Sequence, residues 1–161
     1  MKFEPKLLIA LGNPDAKYQN TYHNVGFLFV DNLEENRQIL NFQISNFKST
    51  EYMNKSGMFV AKELKRAGIK PENLLIVHDD SDIELGKYKL SFGRGAAGHH
   101  GVESVQTTLK TKNFWRLRIG IRPVDEKVRQ KSEIFVLKKI NVADKKTLDG
   151  VFAEISKTLA K

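Results

Sequence analysis

The stretch NTYHNVGF sets His23 directly ahead of an apolar run, and LLIVHDD ends another apolar run on His78, Asp79 and Asp80. A histidine, a carboxylate to hold it and amide donors for a developing oxyanion are the minimum equipment of general-base hydrolysis. His23 is the best candidate base, Asp79 the candidate carboxylate, and Asn13 and Asn54 supply amides. Each has a plainer explanation on its own: a histidine can cap a helix, and asparagines make turns. Only their combination points to chemistry.

A third stretch, GRGAAGHHG (93–101), contains the spelling G-x-G-x-x-G. The dinucleotide fingerprint requires a first strand–turn–helix unit and an acid about 20 residues further on. Here that region reads FWRLRIGIR, without an acid, and the loop lies past the middle of the chain. A nicotinamide- or flavin-dependent oxidoreductase is therefore the weakest reading. A metal site would recruit His78, Asp79, Asp80 and Asp82 with His99 or His100. Adjacent side chains of an extended loop point in opposite directions, and no H-E-x-x-H spacing occurs. Neither metal nor cofactor is expected.

These residues need elements to position them. KLLIAL (6–11), LLIVHDD (74–80) and LRIGI (117–121) are short apolar runs suited to buried strands, and GKYKLSFG (86–93) is a weaker fourth. Val60, Leu64 and Ala67 fall on one helical face before Gly68 and Pro71, and Val102, Val105 and Leu109 on another. Leu148, Val151, Phe152, Ile155 and Leu159 make a C-terminal amphipathic stripe. Strands alternating with helices predict one α/β domain over residues 1–161, a twisted, mixed, mostly parallel sheet flanked by helices. In such sheets ligands gather at the carboxyl ends of strands. That rule brings Asn13, His78–Asp79 and the glycine loop to one rim.

The chain of 161 residues carries a net charge of +8 and no cysteine, which removes disulfides, thiolate zinc sites and cysteine nucleophiles. From residue 101 onward 14 Lys and Arg face 7 Asp and Glu, against 13 and 12 before it, an asymmetry that suits a polyanionic partner. No apolar run approaches the roughly 18 residues of a membrane span, and the charged N-terminus is no signal peptide. A cytoplasmic monomer without membrane association is expected.

Taken in order, LIALGNPDAKYQNTYHNVGFLFVD, YMNKSG, LLIVHDDSDIELGKYKL, GAAGHHGVES and NFWRLRIGI resemble the bacterial peptidyl-tRNA hydrolase family over most of residues 6 to about 140. The resemblance implies hydrolysis of the ester between peptide and tRNA, with peptidyl-tRNA as the partner and no metal or cofactor. It implies His23 as the base that activates water and Asp79 as the group that orients it. Asn13 and Asn54 would position the carbonyl and oxyanion. Tyr18, Tyr52 and Met53 would wall the crevice, and His99 and His100 would contact the tRNA end. Arg118, Arg116, Lys110 and Lys112 are candidates for phosphates.

The chain departs from the family pattern in places. The segment from Asp31 to Thr50 is short where a further strand pair is usual, and the chain stops soon after one C-terminal helix. His100 stands where an asparagine is expected, and Ser91 where a basic residue is common. These changes keep a second class open, an RNA-binding relative of the fold that has lost turnover.

Overall fold

The computed structural model describes residues 1–40, 44–128 and 131–161. The apolar run after Lys6 becomes β1 (Leu7–Ala10), in which every residue is buried. It leads through two single 3-10 turns, Ala16–Tyr18 and Tyr22–Asn24, into α1 (Val25–Leu40). Next come β2 (Ser45–Lys48), α2 (Ser56–Ala67), β3 (Leu74–Glu84) and β4 (Tyr88–Phe92). They are followed by α3 (His100–Leu109), β5 (Trp115–Arg122), the one-turn α4 (Ser132–Phe135) and α5 (Val142–Leu159).

The five strands form one sheet in the order β2-β1-β3-β5-β4. β1 pairs parallel with β2 and β3, β3 pairs parallel with β5, and only β4 runs antiparallel, on β5. The expected α/β architecture is the one observed. Alternation along the strands sends side chains to two cores. Leu8, Ala10, Leu75 and Val77 pack under α1 and α5 with Phe29, Leu148 and Phe152. Leu7, Ile9, Leu74 and Ile76 pack on the other face with Val60 and Leu64 of α2 and Val102 and Val105 of α3. Burial on both faces is why these strands read as unbroken apolar runs.

Two local departures have simple causes. Ala67 is exposed, because α2 ends there and Gly68 turns the chain with a φ of 65°. β2 has no sequence signal, since three of its four residues are exposed and none is fully buried.

Helices α2 and α3 approach very closely at Gly57. Its N–H donates to Ser104 Oγ at 2.9 Å, and a Cβ there would lie 2.3 Å from the Ser104 carbonyl oxygen. This contact seats α3, and therefore the histidine loop before it, against the sheet.

Candidate active site

β1 ends at Ala10, so the chain turns at Gly12–Asn13–Pro14 on the rim where β3 delivers Asp79. Asn13 is buried and fixed three ways. Its N–H donates to Asn24 Oδ1, Asn24 Nδ2 donates back to its carbonyl, and its Oδ1 accepts from the Met53 N–H, each at 2.8 Å. With Oδ1 occupied, Nδ2 is the end of this amide left for the crevice. Sequence reasoning misses Asn24, whose one signal is its place beside His23.

His23 sits in the 3-10 turn that starts α1. Its backbone N–H donates to the Val136 carbonyl at 2.8 Å, and that of Tyr22 to Lys138 at 3.2 Å, so the C-terminal segment pins the turn. The imidazole Nδ1 lies 2.8 Å from Asp79 Oδ2, and His99 Nε2 lies 2.9 Å from Asp79 Oδ1. An ionised carboxylate only accepts, so both facing nitrogens carry protons. His99 Nδ1 in turn accepts the Val102 N–H at 3.2 Å, as the cap of α3. Both nitrogens of His99 are thus committed. His23 keeps a bare Nε2 toward the crevice.

Burial pushes the Asp79 carboxyl up, but the facing imidazoles outweigh it and hold the group well below the usual carboxylate range. For His23, burial works against the charged form, yet the charge and hydrogen bond of Asp79 leave its pKa raised above 6.5. The same three groups offer ligand atoms within 4.8 Å of one another, which a metal could use only by displacing both protons that face Asp79. As found, the cluster is hydrogen-bonded as a proton-handling site.

The crevice above it measures about 530 Å³ and is lined by His23, Asp79, Asn13 and Asn54. Tyr18, Tyr52, Met53, His99 and His100 line it too, so nine of the thirteen residues to which the resemblance points converge there. Tyr52 donates its hydroxyl to Asp15, and Asn54 is exposed beside it. Adjacent His99 and His100 diverge, as expected: the side chain of His100 is 70 % exposed and meets Glu103 at 3.2 Å.

Arg118 is one of the four set apart. Its Nε donates to Asp80 Oδ2 at 2.8 Å and one terminal nitrogen to Ser91 Oγ at 3.2 Å, with the side chain only 16 % exposed. Arg116 is buried outright and does not reach the surface as a phosphate contact would require. Lys110 and Lys112 are exposed. The acidic run that could have been a solvated turn is instead buried at Asp79 and Asp80.

The glycine loop lies between antiparallel β4 and α3, not in the first strand–turn–helix unit. Gly98, at a φ of 85°, reverses the chain so that His99 turns inward. The turn aims an imidazole rather than cradling a pyrophosphate.

A mostly parallel α/β sheet with a carboxylate-held histidine and a positioned amide at its rim has the arrangement that general-base hydrolysis requires. The profile of the peptidyl-tRNA hydrolase family matches residues 7–161, and the chain belongs to that family. It is 38 % identical over 170 residues to the peptidyl-tRNA hydrolase of Sulfurihydrogenibium sp. (strain YO3AOP1), covering 96 % of this chain and 88 % of that protein. The peptidyl-tRNA hydrolase of Metamycoplasma arthritidis is 34 % identical over 166 residues, covering 96 % and 89 %. Among solved structures, the Acinetobacter baumannii peptidyl-tRNA hydrolase superposes with a TM-score of 0.85 at 29 % identity, covering 99 % of this chain and 88 % of that one.

Proposed function

We propose that this chain hydrolyses the ester joining peptide to tRNA, with His23 as general base. The observation that carries the assignment is the division of labour at Asp79: His99 has no nitrogen left, whereas His23 presents a bare Nε2. Water, held between Nε2 and the ester carbon, gives its proton to His23 as its oxygen attacks. The carbonyl oxygen becomes an oxyanion, met by the Nδ2 of Asn13 and by the Asn54 amide. Collapse breaks the bond to the ribose oxygen, which takes the proton back from His23. The products are a tRNA with a free terminal hydroxyl and a peptide carboxylic acid, which ionises to the carboxylate by releasing its proton to water.

An ester has a better leaving group than an amide, so a base and an oxyanion site are enough. No metal or cofactor enters these steps. Tyr18, Tyr52 and Met53 form the walls for the peptidyl-adenosine end, His100 stands at the rim, and exposed lysines beside α3 meet phosphates. Arg118 acts from within the sheet, beside Ser91, where its remaining amino nitrogen can meet an anion. The enzyme would work as a cytoplasmic monomer; among the described residues no helix is long and apolar enough to cross a membrane.

The test uses labelled peptidyl-tRNA. His23→Ala should lower the rate at saturation by at least the ~10²–10⁴ of a general base, while tRNA binding stays within a few-fold. Hydrolysis near the parent rate would remove His23 from the role.

A further inference from the structure

Behind the proton-transfer groups lies a buried assembly that the mechanism leaves unused. Arg116 of β5 is 4 % exposed and His78 of β3 is 1 % exposed. The guanidinium donates through Nη1 to His78 Nε2 at 3.2 Å, and through Nη2 to the Gly95 carbonyl at 2.8 Å. A longer contact of 3.5 Å reaches the Arg94 carbonyl. These are neutral acceptors. A buried cation on neutral acceptors is a poor stabilising device, since a well-packed apolar side chain often serves as well or better. What the guanidinium adds is direction: a planar fork that joins two strands and a loop at fixed angles.

Its chemistry also propagates. A guanidinium has only donors, so the His78 nitrogen facing it must be bare. The proton then sits on Nδ1, which donates to the Asp79 carbonyl at 2.6 Å. Both ring nitrogens being bonded, the His78 plane is set. Against that plane packs the ring of His99, edge to face, with centroids 4.6 Å apart. His99 is thus held between the His78 ring and the Asp79 carboxylate. Its own loop is tied down at Gly95 by the same guanidinium.

We propose that Arg116 is a positioning residue for the hydrolytic centre, holding His78 and the glycine loop in the arrangement that brings His99 onto Asp79. The proposal rests on the assignment of His23 and Asp79 to proton transfer. Burial and the neighbouring Arg118 pull the Arg116 pKa down to about 10, which leaves it charged throughout the neutral range. Burial, His99 and Arg116 together keep His78 well below the ordinary histidine value, in keeping with its part as a neutral spacer.

The experiment reads the imidazole nitrogens of the full chain by nitrogen-15 NMR, alongside hydrolysis of peptidyl-tRNA. The parent should show His78 protonated on Nδ1 and bare on Nε2, and His99 protonated on Nε2. Arg116→Met should mix the His78 tautomers and release His99 from Asp79. Its rate at saturation should fall roughly 10–100-fold, the scale of a small misplacement of reacting groups, with tRNA affinity changed by less than about threefold. Arg116→Lys keeps the charge but loses the fork, and should fall between parent and Met variant. A proton on His78 Nε2 in the parent would overturn the proposal. So would a folded Met variant with parental His99 signals and rate, or a Lys variant as impaired as Met with His99 undisturbed. If the Met variant fails to fold, the parent spectrum and the Lys variant decide. Failure of the parent to hydrolyse peptidyl-tRNA would count against the proposed function and leave the tautomer measurement to judge this inference.

Discussion

At the scale of single residues, Asp79 carries most of the electrostatic consequence. Its charge and hydrogen bond raise the pKa of His23 against the opposing effect of burial. With neutral His23 as the proposed base, the rate should fall as pH drops through that raised value, giving an acid limb above 6.5. Asp79→Asn removes the raising influence and leaves the burial, so the limb should move to lower pH. The maximal rate should fall as well, by about 10² or more, because the amide no longer fixes the tautomer or stabilises the imidazolium. A pH–rate profile of the variant checks both, and an unmoved limb would dismiss the coupling. Arg118 calls for different handling: its replacement also strips Asp80 of a partner, so Arg118→Ala cannot isolate a phosphate contact. His23, Asp79 and Asn13 were legible in the sequence because each borders an apolar run, His23 before one and Asp79 and Asn13 after one. The bond of His99 to Asp79 was not. A loop histidine gives no hint, in one dimension, that a carboxylate 20 positions earlier will accept from it.

At the scale of elements, β1, the first half of β3 and β5 announced themselves because both their faces are buried: Leu7–Ala10 and Leu74–Val77 carry no polar residue, and in β5 Leu117, Ile119 and Ile121 keep an apolar pattern between the arginines. β2 did not, since it is a half-wet edge with no alternation to read. Helix faces were visible from spacing, but the closeness of α2 to α3 was not, because a glycine inside a helix reads as a weakness. Gly57 in fact makes that approach possible. A methyl group there would meet the Ser104 carbonyl at 2.3 Å and Thr108 Oγ1 at 2.2 Å. The threonine can rotate, but the carbonyl belongs to the α3 backbone. Gly57→Ala should therefore destabilise by about 1–3 kcal/mol or more, as overpacked sites do. At about 2–4 °C per kcal/mol for a chain of this size, the loss is readable by thermal unfolding. Turnover should decline with it, since α3 begins at the cap that holds His99. An unchanged melting temperature would mean that the helices part without cost.

At the scale of the whole molecule, charge and topology act together. The positive surplus lies in the 61 residues that follow His100, and its exposed members Lys110 and Lys112 lie just past the end of α3. Binding of tRNA should weaken steeply with salt through counterion release. Lys110→Gln with Lys112→Gln should flatten the log–log slope by up to about 0.7–0.9 for each phosphate that is no longer neutralised. Turnover at saturating substrate should hold. Titrations at several salt concentrations check this, and parallel slopes would move the interface elsewhere. The surplus was visible in the sequence, but its distribution was not: Arg116 and Arg118 read as surface charges there, and the sheet absorbs both.

The hydrogen bonds that fasten the His23 turn to the segment around Val136 and Lys138, together with the Tyr22–Asp144 contact across 122 positions, have a kinetic meaning. The proposed base is placed by a segment more than 110 positions further along the chain. Closing so long a loop has an entropic cost that local contacts cannot offset beforehand. Catalytic competence is therefore expected to arrive with that closure rather than with the sheet alone. While it is being synthesised, the chain is itself a peptide esterified to tRNA. A nascent copy that has not yet reached Val136 lacks the bonds that seat its own His23.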